Sequence, residues 1–426
     1  MVFIAVGTVF IDAYDFVSLG IGVTPLQKQF HLSPVWIGHI TAAMAFGALI
    51  GALFGGYVTD KIGRRVMLVV DLLLLVFSAI GAALSVNVAM LLVFRFLMGI
   101  GVGADFPVAL SFISEFVPAS RRQNTIKLQQ FMWAVAAASV GVILLPFYYL
   151  GYSDQIWRIA LGASALPALL LLVARFYYGQ ESILWTAHHV GLKESAKIIE
   201  KIYNVRVLVS EKPTNPLEKT KFCEIFSKKY LTRTIVASTV CMTQSVQYFA
   251  IGFNIPVISQ HIFGVGLINA LLGVIFFSIF SFLGVLASIF ASRKFSILGV
   301  LLSGYALVAC ALILLAVFSG MLPMTVTTFL ICAFLFGQTF GPASQSMVLA
   351  TLSYPTRIRG SGSGWNQAMV RVGSIMGLYL FPILNHAVGF KELMGIIALA
   401  PITAIVVVVL VRPKPIAEDA GEQVIV

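Results

Sequence analysis

Residues 36–85 read WIGHITAAMAFGALIGALFGGYVTDKIGRRVMLVVDLLLLVFSAIGAALS, which is two apolar runs, 36–58 and 66–85, joined by a short polar loop. Each run has about 20 residues, the length that an α-helix needs to cross the hydrocarbon core of a bilayer. Lipid offers the backbone no hydrogen-bond partners, so apolar runs of this length are helical. The stretch therefore predicts a helical hairpin that crosses a membrane twice.

The same pattern continues to both ends of the chain. Of the 426 residues, 59% are hydrophobic and 11% are charged, and the mean hydropathy is +0.97. A soluble domain, by contrast, carries about 25% charged residues. Twelve apolar runs are long enough to span lipid: 3–26, 36–58, 66–85, 88–117, 128–150, 159–178, 232–258, 268–291, 296–318, 323–353, 360–388 and 391–411. The sequence thus predicts an all-α membrane protein with twelve transmembrane helices.

Basic residues are distributed unevenly between the predicted loops. With both termini on one side, the loops of that side hold 23 of the 28 lysines and arginines, and Lys127 and Arg175 are counted among them. The opposite loops hold only Lys28, Arg158 and Lys391. Positively charged loops face the cytoplasm, so we expect cytoplasmic termini and a multi-pass protein of the plasma (inner) membrane. The net charge of +11 then reflects topology and not a nucleic-acid surface.

One polar stretch, 179–231, is longer than a loop and separates six predicted helices from six. We expect an N-terminal six-helix bundle at 1–178, a cytoplasmic linker with an amphipathic helix at 193–203, and a C-terminal bundle with a short tail at 232–426. A Pro, an Arg and a Gln recur at one spacing where the fifth helix of each half begins: Pro118, Arg122 and Gln130, then Pro355, Arg359 and Gln367. Such a repeat is typical of two parallel halves related by a pseudo-two-fold axis along the membrane normal.

The loop between the second and third helices carries a compact motif, GYVTDKIGRR at 56–65. It resembles the signature loop of the major facilitator superfamily, G-x-x-x-D-[RK]-x-G-R-[RK], at every defined position. Glycines allow a tight turn, and an acid there can pair with arginines or cap a helix end. The resemblance implies the major facilitator fold and a clamp between the halves that breaks during transport. The residues expected to gate are Gly56, Asp60, Gly63, Arg64, Arg65, Glu115, Arg121, Arg122, Arg357 and Arg359.

Small residues also recur along two helices. Gly47, Gly51 and Gly55 are four residues apart on the second helix, and the eleventh opens with GSGSG at 360–364. Small residues at this spacing let helices approach closely. The pattern fits either ordinary packing or an interface that moves.

Ionisable residues inside the predicted helices are concentrated in the first half. Such residues are costly in lipid and mark functional sites, so we expect proton coupling by five of them: Asp12, Asp15, Asp71, Arg95 and Asp105. Moving a carboxylate between wet and dry surroundings, or toward and away from an arginine, changes its affinity for a proton. The second half has no membrane acid and one internal cation, Arg371, which would attract an anion. Alternatively, Arg371 pairs with Asp15 or Asp105 across the interface or reaches the membrane surface.

Several stretches of the first half resemble the phosphate:proton symporters and their neighbours, the organic-anion and sugar porters. These are DAYD at 12–15, VDL at 70–72 and RFLMGIGVGADFP at 95–107, while Glu181, Ser182 and Trp185 are similar to the sugar-porter motif P-E-S-x-R-W. The likeness implies a binding glutamine at Gln130 or Gln129. The chain departs from phosphate symporters at Phe106, where they have a tyrosine, and at Arg371, where they have a lysine. The W-x-x-x-D-x-x-x-Y of their seventh helix is replaced by Cys241, Ser245 and Phe249.

These departures favour a carboxylate-bearing metabolite at least as well as phosphate, and Phe106, Trp133 and Tyr248 suit an aromatic one. The residues expected to bind it are Arg371, Phe106, Gln129, Gln130, Trp133, Gln244, Tyr248, Gln338, Asn366 and Gln367. For any one of the amides, a hydrogen bond between helices is the alternative role.

We therefore expect a proton-coupled symporter that moves a small anionic solute by alternating access and acts as a monomer. The helix at 134–151 lacks the G-x-x-x-G-P-x-x-G-G pattern of drug antiporters, which favours symport. A sugar or neutral-metabolite porter is the main alternative, and a membrane sensor without transport is a further one. The sequence has no H-E-x-x-H motif or Ser-His-Asp set, and its four cysteines lack metal or disulfide spacing. We accordingly expect that the protein is not an enzyme and that it has no cofactor, metal or nucleic-acid partner.

Overall fold

The computed structural model describes residues 2–116, 119–178, 181, 183–203, 222–318, 321–354 and 358–411. Within these ranges the side chains of 2–6, 56, 57, 60, 106–116, 119–124, 126, 178, 184, 188, 202, 203, 261, 359 and 360 are not described. Eight predicted site residues lie wholly or by their side chains outside this description: Gly56, Asp60, Phe106, Glu115, Arg121, Arg122, Arg357 and Arg359. The regular elements in the described part of the chain are all helices.

The first half crosses the membrane six times. Its helices are α1 (Val2–Phe30), α2 (Pro34–Ile62), α3 (Arg64–Ala83), α4 (Val88–Phe116), α5 (Ala119–Tyr149), α6 (Ile156–Ala163) and α7 (Ala165–Tyr178), of which α6 and α7 form one crossing. α2 begins where its sequence allows it to: Ser33 caps the helix by accepting a hydrogen bond from the Trp36 amide at 3.4 Å, and Pro34 takes the first helical position.

Two short helices follow in the linker, α8 (Ile183–His189) and α9 (Leu192–Tyr203). α9 covers the stretch predicted as an amphipathic surface helix. The second half then consists of α10 (Leu231–Gln247), α11 (Ile255–Phe263), α12 (Leu267–Ala291), α13 (Ile297–Phe318), α14 (Met324–Gln338), α15 (Ser344–Leu352), α16 (Arg359–Val388) and α17 (Phe390–Val411).

Eleven helical stretches in the described residues are long and apolar enough to cross a membrane. The remaining predicted crossing, the seventh, is made by α10 and α11, which are separated by a π-helical turn at Tyr248–Gly252. A second π turn, Thr339–Ala343, separates α14 from α15 in the tenth crossing. π turns of this kind are frequent at functional sites, and membrane backbone departs from the α-helix where it lines a cavity.

The glycine stripe of α2 packs inside the first half. A Cβ added at Gly51 would meet the carbonyl oxygen of Ile100 on α4, and one at Gly47 would meet that of Phe96. From the other side, a Cβ at Gly103 would meet the carbonyl oxygen of Ala48. The two helices therefore touch backbone to backbone. The sequence left two roles open for this stripe, ordinary packing or an interface that moves. The stripe packs within the first half and does not lie between the halves.

The halves meet along two helix pairs. On the predicted outer side α2 packs on α16, where Thr41 Oγ1 donates to the Leu378 carbonyl oxygen at 3.2 Å. On the predicted cytoplasmic side α5 packs on α12, where the rings of Phe131 and Phe282 lie 4.8 Å apart between centroids. The space between the halves is thus bounded by contacts on both sides.

Lys127 and Arg175, which were counted among the loops, lie inside the bundle. Lys127 has no exposed surface and Arg175 is 2% exposed. Both assignments were wrong: Lys127 directly precedes the predicted run 128–150, but α5 begins eight residues before it, and Arg175 lies within the predicted run 159–178 and within α7. The remaining loop residues still divide unevenly between the two sides.

Candidate functional site

A cavity lies between the two halves. Six of the predicted substrate contacts line it: Gln130, Trp133, Gln244, Tyr248, Gln367 and Arg371. Most of the other lining side chains are apolar, including Val17, Phe249, Phe277 and Met347. The second half contributes the larger part of this wall through α10, both π turns, α12 and α16. A mostly apolar cavity with a few convergent polar groups is the usual form of a small-molecule site.

Arg371 on α16 is the only charged residue among the described residues that line the cavity. It is 3% exposed, and its guanidinium carbon lies 5.9 Å from the centroid of the Phe16 ring. The acid whose charge acts on it is Asp12 of α1, on the other half. Coulombic attraction is strong in surroundings of low dielectric constant, so the charge of this arginine acts strongly on any group inside the cavity.

Aromatic side chains from both halves meet beside Arg371. Trp133 Nε1 donates a 2.5 Å hydrogen bond to Tyr248 Oη, and the two rings are nearly perpendicular with centroids 5.8 Å apart. Phe16 and Phe249 make a similar edge-to-face contact at 5.0 Å. Trp133, Tyr248 and Phe249 line the cavity, and the buried Phe16 packs behind them. Together they form an aromatic corner that suits a planar or apolar ligand body.

The glutamines of the second half form a network behind the wall. Gln338 Nε2 donates to the Gln244 carbonyl oxygen at 2.9 Å, and Gln247 Nε2 donates to Gln338 Oε1. Gln367 Nε2 contacts Met347 Sδ at 3.0 Å, while its oxygen has no hydrogen-bond partner among the described residues. Gln244 and Gln367 therefore face the cavity, and Gln338 holds Gln244 in place.

Three predicted contacts with described side chains do not line the cavity. Gln338 has the supporting position just given, and Asn366 Nδ2 donates to the Gly362 carbonyl oxygen of its own helix at 2.9 Å. Gln129 is 1% exposed, and neither end of its amide has a partner among the described residues. Of the two glutamines left open by the sequence, Gln130 is the one in the wall.

Two of the predicted coupling acids share an arginine that the sequence did not single out. Arg175 Nη2 donates to Asp105 Oδ1 at 2.8 Å, and Arg175 Nη1 donates to Asp71 Oδ1 at 3.1 Å. Nη1 also donates to the Leu68 carbonyl oxygen at 2.5 Å. All three ionisable side chains are buried. The sequence contained one signal for this cluster: the third and fourth predicted helices carry two acids, Asp71 and Asp105, but only one arginine, Arg95.

Arg95, the predicted arginine, has other neighbours. Its Nη1 donates to the backbone carbonyl oxygen of Asp15 at 2.9 Å and lies 3.6 Å from Met98 Sδ. The charge of Asp15 acts on it. Asp12 is buried, and its carboxylate oxygens have no hydrogen-bond partner among the described residues. The five predicted coupling residues thus have different partners: Asp15 lies with Arg95, Asp71 and Asp105 share Arg175, and Asp12 lies within electrostatic range of both Asp105 and Arg371.

The signature loop is held by an acid from the start of the linker. Glu181 Oε1 accepts hydrogen bonds from the backbone amides of Arg64, at 2.8 Å, and Arg65, at 3.2 Å. Gly63 has φ +94°, and a Cβ there would lie 2.7 Å from Glu181 Oε2. A carboxylate at a helix N-terminus is favourable because of the unpaired amides and the helix dipole. Glu181 was absent from the predicted gating set, although its similarity to the sugar-porter motif was a clue.

The sequence profile described as "Sugar (and other) transporter" matches residues 4–413, so the chain belongs to that family of transporters. The inner membrane metabolite transport protein YgcS of Escherichia coli is 27% identical over 95% of this chain and 88% of its own. The 4-hydroxybenzoate transporter PcaK of Acinetobacter baylyi is 27% identical over 88% of this chain and 82% of its own.

Among solved structures, the xylose transporter XylE of Escherichia coli, in a partially occluded inward-open conformation, superimposes with a TM-score of 0.76. The two sequences are 20% identical, and the match covers 96% of each chain. The predicted fold is therefore confirmed: this is a multi-pass transporter of the major facilitator fold, with twelve transmembrane helices in two six-helix bundles related by a pseudo-two-fold axis.

Proposed function

We propose that this transporter is a proton-coupled symporter that moves a small organic anion across the plasma membrane by alternating access. The observation that carries the proposal is Arg371. It is the only charged residue in the described wall of a cavity that is otherwise apolar, aromatic and amide-lined. A neutral solute does not need a buried guanidinium, whereas a carboxylate pairs with one in a bidentate manner.

The substrate and Asp12 compete for Arg371 in this mechanism. Without substrate, the attraction of Asp12 partly neutralises the arginine across the interface between the halves. A bound carboxylate replaces Asp12 as the counter-charge. Asp12, buried and without a hydrogen-bond donor among the described residues, then becomes costly as an ion and takes up a proton. Substrate and proton binding are thereby linked.

The Asp71–Arg175–Asp105 cluster is the second proton site of the proposal. Two carboxylates share one guanidinium, so the fully ionised cluster carries a net negative charge in buried surroundings. One proton removes that charge, and like charges held close favour this uptake. The cluster lies within the first half, on α3, α4 and α7, where a change of packing between conformations would alter its access to water.

The aromatic corner indicates the body of the anion. Trp133, Tyr248, Phe16 and Phe249 suit a ring, and the relative PcaK is named as a transporter of an aromatic carboxylate, 4-hydroxybenzoate. Phosphate stays within the proposal because of the resemblance of 12–15 and 95–107 to phosphate symporters. A sugar is the second candidate, favoured by the glutamines of the cavity and by the fold it shares with the proton:xylose symporter XylE.

The basic loops support an orientation with both termini in the cytoplasm. The relative YgcS, named as an inner membrane protein, supports a location in the plasma membrane. We assign the linker 179–231 and the gating residues around Gly63 and Glu181 to this cytoplasmic side. A single chain contains both halves and the whole cavity, which supports function as a monomer.

An uptake screen in liposomes tests the proposal. The purified chain is reconstituted, the outside is made acidic, and accumulation of phosphate, benzoate, 4-hydroxybenzoate, D-xylose and D-glucose is compared with protein-free liposomes. The proposal predicts gradient-dependent accumulation of a carboxylate or phosphate, and none of the sugars. Accumulation of a sugar alone would identify the second candidate. If a solute binds, as shown by a change in the fluorescence of Trp133, but no solute accumulates, the result would favour a sensor.

A further inference from the structure

A second polar cluster joins the halves beyond the cavity, on the predicted cytoplasmic side. Lys127 of α5 donates through Nζ to Ser292 Oγ at the end of α12. Gln345 of α15 donates through Nε2 to the same Ser292 oxygen at 2.9 Å and to Ser288 Oγ at 3.0 Å. Lys127, Ser288 and Gln345 have no exposed surface, and Ser292 is partly exposed. The lysine comes from one half and its three neighbours from the other.

This cluster lies on the same interface between the halves as the cavity, next to it on the predicted cytoplasmic side. Lys127 lies one turn from Gln130, about 4.5 Å along the helix axis, and Gln130 is in the cavity wall. On the facing side, Ser281 and Met347 line the cavity. Ser288 follows Ser281 by two turns on α12, and Gln345 lies two residues before Met347 on α15. A solute that leaves the cavity between α5 and α12 toward the predicted cytoplasmic side therefore passes Lys127.

The charge of Lys127 has no acidic counterpart in the cluster. No ion pair of Lys127 exists among the described residues, and the sequence has no Asp or Glu between Glu224 and Glu392, which includes all of α12 and α15. A buried ammonium without an acid is costly. Hydrogen bonds alone would be supplied equally well by a neutral residue, so the retained cation indicates an anionic ligand. Gln345 Oε1 also has no partner among the described residues.

We propose that Lys127 forms a second anion site that receives the substrate's carboxylate or phosphate after Arg371 releases it, and that Ser292, held by Gln345, only covers its ammonium while the halves are together. The inference rests on the proposed function, because it concerns the same substrate. When the halves separate on the predicted cytoplasmic side, Lys127 loses its contact with Ser292 and its ammonium becomes free to bind. The anion moves from one buried cation to the next and so avoids crossing an apolar seam unpaired.

The test uses the full chain in liposomes and in nanodiscs, with benzoate, 4-hydroxybenzoate and inorganic phosphate as probes. Quenching of tryptophan fluorescence, checked with Trp133→Phe, reports binding in the cavity, and counterflow exchange reports passage. Lys127→Gln keeps a hydrogen-bond donor but removes the charge. Gln345→Glu keeps the lysine but neutralises it, because the nitrogens of both side chains share the Ser292 acceptor.

Both variants are expected to bind the probe with an affinity within about twofold of wild type and to exchange it about tenfold or more slowly, as the loss of a charge-assisted contact implies. Lys127→Arg and Ser292→Ala keep the cation and should exchange at close to the wild-type rate. The second site is overturned if both neutralising variants exchange the probe at the wild-type rate. It is also overturned if Ser292→Ala exchanges as slowly as Lys127→Gln, because the cluster is then only a structural contact between the halves. If no probe binds to the wild-type cavity, the proposed anion function fails first, and the second site fails with it.

Discussion

Arg175 Nη2 lies 2.8 Å from Asp105 Oδ1, and this buried ion pair joins α7 to α4 in the centre of the first half. The other nitrogen of the same guanidinium reaches Asp71 on α3. One arginine thus ties three helices together and is shared by two acids. The proposed function gives this cluster a proton-carrying role besides its structural one, and different variants test the two roles.

Asp105→Asn is expected to abolish proton-driven accumulation and to leave exchange of substrate across the membrane measurable. The amide can still accept a hydrogen bond from Arg175, but it carries no proton. Uptake under an imposed pH gradient and counterflow without one are the two measurements. Asp154→Asn, at an exposed acid between α5 and α6, is the matched control. Driven uptake that survives in Asp105→Asn would show that another acid couples.

Arg175→Gln is expected to destabilise the protein by about 3–5 kcal/mol, because it leaves two buried carboxylates without their cation. Adding Asp71→Asn should restore part of the loss by removing one of the two charges. Thermal unfolding in detergent measures both, with Arg293→Gln as the control at an exposed arginine. Equal unfolding temperatures for Arg175→Gln and wild type would contradict the role given to this cluster.

Arg371→Ala is expected to weaken binding of an anionic substrate by about 1.5–3 kcal/mol, the range of a hydrogen bond to a charged group, and to affect a neutral solute much less. Binding followed by the fluorescence of Trp133, which lines the same cavity, gives both affinities. Arg371→Lys keeps the charge but not the bidentate geometry and should fall between the two. An equal loss for anion and neutral solute would point to a structural role.

Gly51→Ala is expected to destabilise the first half by about 1–3 kcal/mol through overpacking, since the added Cβ meets the Ile100 carbonyl oxygen of α4. Gly364→Ala is the matched control, because a Cβ there has no atom within 4 Å among the described residues. Thermal unfolding of the two variants should therefore differ clearly. A similar effect at both positions would mean that the backbone contact between α2 and α4 relaxes easily.

The number and order of the membrane helices could be predicted because apolar length is a local property. The seventh crossing shows the limit of this criterion: the polar side chains and π turn that make Leu231–Phe263 part of the cavity also lower its apolar character. Arg371, Trp133 and Tyr248 could be proposed as substrate contacts for a related reason, since polar and aromatic groups within a span are costly or distinctive wherever the helix packs.

The partners of those residues could not be predicted. Arg175 and Lys127 lie at the ends of apolar runs, where a charge is consistent with a loop as well as with a buried pair. Which acid meets Arg175 depends on how α3, α4 and α7 pack, and which half Gly51 faces depends on the rotation of α2. Glu181 caps α3 from more than a hundred residues away, so its role follows from tertiary structure and not from local spacing.

Proton movement driven by substrate alone tests the central claim most directly. Liposomes containing the chain and a pH-sensitive dye are mixed, without a pH gradient, with the solute found in the uptake screen, and protein-free and Asp105→Asn liposomes correct for passive entry of the neutral acid. A proton-coupled anion symporter predicts that the interior acidifies as the solute enters through wild-type protein, and that Asp105→Asn adds nothing to the passive signal. Solute entry through wild-type protein with no acidification beyond that of protein-free liposomes would contradict it.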